Sequence, residues 1–66
     1  MAAPVSVATI EDERGEVAEV ILTFGDGEPQ VRFHLREGLL GKGSYGSVYQ
    51  TKDGRYAVKI VFLPAD

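Results

Sequence analysis

Cysteine is absent from this sequence of 66 residues, which excludes every disulfide and every thiolate zinc site. Histidine occurs once, at His34 within "VRFHLR", with no ligand partner beside it, so no metal site is expected and His34 reads as a surface residue. Long apolar runs are also missing; none comes near the length that spans a bilayer, and no membrane partner is expected. The opening "MAAPVSVATI" carries no basic residue and soon meets "EDERGE", which argues against a secretory signal. A cysteine-free chain fits a reducing compartment, so the expected location is the cytoplasm or nucleus. Helical periodicity is lacking as well. A chain of this length buries only about 60% of its unfolded surface and forms one marginally stable unit at most.

The formal net charge is -3, and it is unevenly spread. Up to residue 30, Glu11, Asp12, Glu13, Glu16, Glu19, Asp26 and Glu28 face a single base, Arg14. From residue 31 on, Arg32, Arg36, Lys42, Lys52, Arg55 and Lys59 outnumber Glu37, Asp53 and Asp66. The second part also holds the closely spaced glycines, so the positive half is the half suited to an anion. A solvated acidic leader ahead of an ordinary sheet surface would look the same by charge.

The apolar residues alternate with period two or form short β-rich blocks, and glycines separate them. Strands are expected near 5–10, 17–24, 30–40, 46–52 and 55–62, a mostly β antiparallel meander of about five strands. Asp53-Gly54 suits a two-residue type I′ turn. That closure sets Lys52 opposite Arg55, Gln50 opposite Ala57 and Val48 opposite Lys59, so Val48, Gln50, Ala57 and Lys59 share a face. Tyr49, Thr51, Tyr56, Val58 and Ile60 then form the core face, and Lys59 is expected beside small and apolar side chains rather than out in water. For the earlier hairpin, pairing Phe24 with Val31 joins Val20, Leu22 and Phe24 to Val31, Phe33 and Leu35. The same pairing sets Glu19 against Arg36.

Gly41-x-Gly43-x-x-Gly46 is weak evidence by itself, because structural turns are also rich in glycine. A dinucleotide-binding fold needs a helix after the glycines, yet "SVYQTKDGRYAVKIVF" reads as two strands around a turn. A phosphate-binding Walker loop ends in Gly-Lys-Ser/Thr, and "GKGS" does not. What remains is strand, glycine turn, strand, tight turn, and a strand bearing a lysine. Here the chain resembles the eukaryotic-type protein kinases, through "LGKGSYGSV" at 40–48 and "AVK" at 57–59. These match that family's G-x-G-x-x-G-x-V loop and V-A-I-K strand, and the likeness covers roughly residues 33–62.

The resemblance implies residues 31–66 as part of a kinase N-terminal lobe, with residues 1–30 as an acidic extension of one or two strands. It implies ATP as ligand, with the loop Leu40, Gly41, Lys42, Gly43, Ser44, Tyr45 and Gly46 over the phosphates. Leu40, Val48 and Ala57 would form an apolar ceiling over the adenine, Tyr45 would stand at the loop tip, and Lys59 would position the α- and β-phosphates. The interval from Val48 to Lys59 is short for that family. These 66 residues hold no catalytic-loop Asp and Asn and no Asp-Phe-Gly. Phosphoryl transfer, on serine or threonine, and magnesium binding are therefore expected only in a longer parent, and the chain by itself is expected to be inactive. Its partners would be ATP and the remainder of a kinase domain, or further copies of itself through the strand at 55–62; no nucleic acid is expected. The alternative is a free-standing β-domain, such as a small SH3-like barrel, that binds a protein.

Overall fold

The computed structural model describes residues 4–25 and 27–63. It is mostly β, with six strands in two antiparallel three-stranded sheets. The first contains β1 (Ser6–Glu11), β2 (Val17–Thr23) and β3 (Val31–His34); the second contains β4 (Leu39–Gly43), β5 (Gly46–Gln50) and β6 (Ala57–Val61). Each sheet is a meander with its middle strand second in sequence. Among the described residues no helix is long and apolar enough to cross a membrane.

Local chemistry explains the turns. Between β1 and β2, the Asp12 carboxylate accepts the amides of Arg14 (2.8 Å) and Glu16 (3.1 Å), and Gly15 takes the left-handed conformation at φ 83°. Short polar side chains that bond backbone two or more residues on are what favour such turns. Between β5 and β6 the expected type I′ turn does not form, since no residue other than glycine has positive φ among those described. Instead Lys52–Arg55 form a wider loop inside the Thr51–Tyr56 pair. The amide of Gly54 donates to the Thr51 carbonyl (2.9 Å), and that of Thr51 to the Tyr56 carbonyl (3.0 Å). The Asp53 carboxylate accepts from Thr51 Oγ1 at 2.6 Å and from the Arg55 amide at 3.0 Å, which holds this wider loop. The pairing beyond the loop is the expected one, with Gln50 opposite Ala57 and Val48 opposite Lys59.

Two further expectations are corrected. Leu22 faces Val31 and Val20 faces Phe33, a shift of two residues from the expected pairing, so Glu19 faces His34 and not Arg36. A two-residue slip leaves every side chain on its own face, so alternation cannot detect it; only a one-residue slip exchanges the faces. The longer connection is accommodated by Gly25 and Gly27 at positive φ, with the Glu28 amide donating to the Gly25 carbonyl. The expected strand at 30–40 is also broken, at residues 35–38. There the Nδ1 of His34 accepts the amides of Arg36 and Glu37, each at 3.1 Å, making this half-buried ring the cap of the turn rather than a surface residue. Gly38 closes that turn between two carbonyls: a Cβ there would lie 2.7 Å from the His34 oxygen and 2.9 Å from that of Gln50.

The break lets the second sheet fold back on the first. Phe33 is fully buried and stacks on Tyr49 with ring centroids 5.0 Å apart, and Leu22 is buried nearby. A backbone bond joins the sheets as well, from the Lys52 amide to the Arg32 carbonyl (2.8 Å), and the bond from the Gln50 amide to the Gly38 carbonyl (2.7 Å) extends the β4–β5 pairing back to the turn. Lys52 Nζ reaches the carboxylate of Glu19 at 3.4 Å. The packing is incomplete: a groove of about 620 Å³ lies between the sheets, floored by Leu22, Phe33 and Tyr49 and bordered by Val7 of β1 and by Val58 and Ile60 of β6.

Candidate functional site

The second sheet sets the glycines and the lysine on one face. Rows of partners cross it, Gly41–Val48–Lys59 and Gly43–Gly46–Val61, with Gln50–Ala57 beside them. Directly opposed residues project to the same side of a sheet, so Val48, Ala57 and Lys59 share a face over which three strand positions carry no side chain. The other face carries Ser47, Tyr49, Val58 and Ile60 and packs toward Phe33, with Ser47 buried. Tyr56 begins this core face, but at the end of the sheet it is 51% exposed.

The hairpin closes through Ser44 and Tyr45, with Gly43 opposite Gly46. Tyr45 stands clear of the sheet at 78% exposed, as expected of a loop tip. Leu40 falls at an irregularity between Leu39 and Gly41 and is exposed. Lys42 pairs with Ser47, which places it on the face opposite Lys59. Lys59 itself is exposed, a correction to the sheltered position expected for it, because Val48 is only half-buried and Ala57 is exposed. Small neighbours on a two-layer fold do not remove a long side chain from water. Among the described residues the ion pairs are Arg36–Glu16 and Lys52–Glu19, and Lys59 belongs to neither.

The three motif glycines differ in why the fold uses them. Gly46 has φ 151°, and a Cβ there would collide with the carbonyl of Ile60 on the neighbouring strand. Packing requires that glycine. At Gly41 and Gly43 a Cβ would meet nothing within 4 Å, and neither has positive φ. Glycine within a strand costs roughly 0.5–1 kcal/mol relative to alanine and often marks close approach of a ligand or another backbone. Packing does not require glycine at either position.

No protein-family model matches the chain, and no curated protein and no solved structure is significantly similar to it.

Sequence reasoning did not single out Asp53 as a structural anchor. The hydrogen bond from Thr51, then the one from the Arg55 amide, hold its carboxyl below the usual carboxylate range. A carboxyl with a lowered value in the folded state adds stability above its ordinary value, and that contribution is lost as pH falls through the lowered one. The Arg55 amide resonance is therefore expected to titrate below about pH 3.9, the ordinary aspartate value. In Asp53→Asn that transition should vanish. A midpoint at or above the ordinary value in a two-dimensional NMR titration would show that these bonds do not persist in solution.

Proposed function

We propose that this chain is the ATP-binding portion of a protein kinase N-terminal lobe, of serine/threonine type. The observation that carries the reading is the pair Gly41 and Gly43, glycines without a packing reason, on the same face as Val48 and Lys59, with Gly41 in their row and Gly43 in the next. Backbone amides of the hairpin would receive phosphate oxygens, Lys59 would supply the positive charge, and Leu40, Val48 and Ala57 would lie over the base. Lys42, Ser44, Tyr45 and Gly46 complete the loop. These residues include no general base and no magnesium ligands, so transfer of the phosphoryl group belongs to a longer parent that provides them. Location in the cytoplasm or nucleus fits a chain with no cysteine.

A second reading, a free-standing β-domain that binds a protein, draws support from one feature. The core face of the glycine-rich sheet is already covered by the chain's own Phe33. The two readings separate in a nucleotide titration followed by NMR. ATP is expected to shift the amides of 41–48 and residue 59, with weak affinity, since one cation and a few amides must offset the cost of ordering the loop. Gly43→Ala and Lys59→Ala should each reduce that response about tenfold while leaving the rest of the spectrum in place. Shifts confined to residues 5–30, or none at millimolar ATP, would reject the kinase reading in favour of the protein-binding domain.

A further inference from the structure

Residues 35–38 connect the last strand of the first sheet to the first strand of the second, and His34 holds that connection. Its Nδ1 accepts the amides of Arg36 and Glu37, each at 3.1 Å, and its carbonyl accepts the amide of Gly38 at 2.9 Å. A ring nitrogen that accepts carries no proton, so the ring is neutral in this fold and keeps its proton on Nε2. The imidazolium has a proton on both nitrogens, and one on Nδ1 would point at two amide hydrogens. The bonds at Nδ1 and the charged ring therefore exclude each other.

The charges around the ring pull the other way. Glu19 of β2 stands directly opposite His34 in the ladder. Asp12 and Glu16 of the β1–β2 turn border a hollow beside the ring, together with Arg36 and Glu37 of its own turn. Lys52, following β5, borders a second hollow with His34 and Glu37. Arg36 pairs with Glu16 at 3.7 Å and Lys52 with Glu19 at 3.4 Å, while Asp12 and Glu37 lie outside these pairs. Acids thus outnumber bases on every side of His34, and their field favours a positive ring. The two amides require a neutral one.

We infer that His34 is a proton-operated latch on the hinge between the sheets: uptake of a proton by its ring releases the 35–38 turn. Arg36 and Glu37 are exposed, so their freed amides pass to water, and the charged ring turns toward the acids around it. The glycine-rich sheet begins at Leu39, directly after the turn, so its angle to the first sheet is what relaxes. Unfolding does not follow, because the Phe33–Tyr49 stack and the Lys52–Arg32 backbone bond still join the sheets. The stabilisation from the two bonds is present while the ring is neutral and is lost as pH falls and the ring charges.

NMR of the whole chain between about pH 8 and about pH 5 tests this, a range in which histidine ordinarily changes charge while carboxylates stay ionised. At the upper end the ring nitrogens of His34 are expected to show the Nε2–H form. On acidification the Arg36 and Glu37 amides should shift together with the ring and lose roughly tenfold in hydrogen-exchange protection, the order expected for a lost hydrogen bond. The Lys52 amide should keep its protection. His34→Asn offers an amide oxygen as acceptor but does not titrate, so its turn is expected to stay closed across the range, whereas His34→Ala opens it throughout. An Nδ1–H ring at the upper end, or wild-type Arg36 and Glu37 amides that do not respond to pH, overturns the proposal. The same response in His34→Asn also does so, as does collapse of the whole wild-type spectrum, which would be global unfolding. Should His34→Asn fail to fold, the ring form and the wild-type amide titration still decide.

Discussion

Truncating Phe33 to alanine is expected to leave the chain largely unfolded at room temperature. Phe33 is the one large side chain with no exposed surface among those described, and it bridges the two sheets by stacking on Tyr49. Removal of a buried phenylalanine side chain costs about 3–5 kcal/mol, combining the lost transfer energy with the cavity left behind. At roughly 0.05–0.15 kcal/mol per residue, the total stability of a domain this small is of the same order. Phe33→Leu keeps most of the volume and should lose less, retaining cooperative unfolding. Urea denaturation followed by circular dichroism compares the three proteins. An unchanged midpoint for Phe33→Ala would mean that the sheets are not held together through this ring.

Gly46→Ala is expected to destabilise the second sheet strongly, whereas Gly43→Ala, at the opposing position of the same hairpin, is nearly neutral for stability. At Gly46 the added methyl group meets the Ile60 carbonyl, a backbone atom that moves only if β6 moves, and the residue lies at a φ unfavourable to L side chains. Backbone strain and overpacking together amount to about 2–5 kcal/mol. The displaced strand would also loosen the pairing of Ser47 with Ile60. At Gly43 the same methyl group enters open space, and exchange of glycine for alanine can add a few tenths of a kcal/mol by restricting the unfolded chain. Hydrogen exchange of the β5 and β6 amides would distinguish these outcomes. Equal protection in both variants would show that β6 yields to the methyl group at little cost. Paired with the nucleotide titration, the comparison separates a glycine required by folding from one retained for a ligand.

The alternation of apolar residues was sufficient to assign a mostly β fold and to place strands at the ends of the chain and around the glycine motif. The Asp53-Gly54 signal specified the pairing of Val48 with Lys59, and with it the faces of β5 and β6, although the loop that forms there is wider than the expected turn. Three features depended on tertiary structure. The shift of two residues between β2 and β3 preserves every face, so the long connection through Gly25 and Gly27 chose between registers that alternation treats as equal. The break at 35–38 rests on the His34 ring accepting two backbone amides and on Gly38 fitting between the carbonyls of His34 and Gln50. Neither contact has a periodic signature. Exposure was the third: Lys59 lies on the predicted face but in water, since among the described residues no second layer covers that face. A pattern of residues determines which way side chains point within a strand, and the packing of one sheet on another decides which of them are covered.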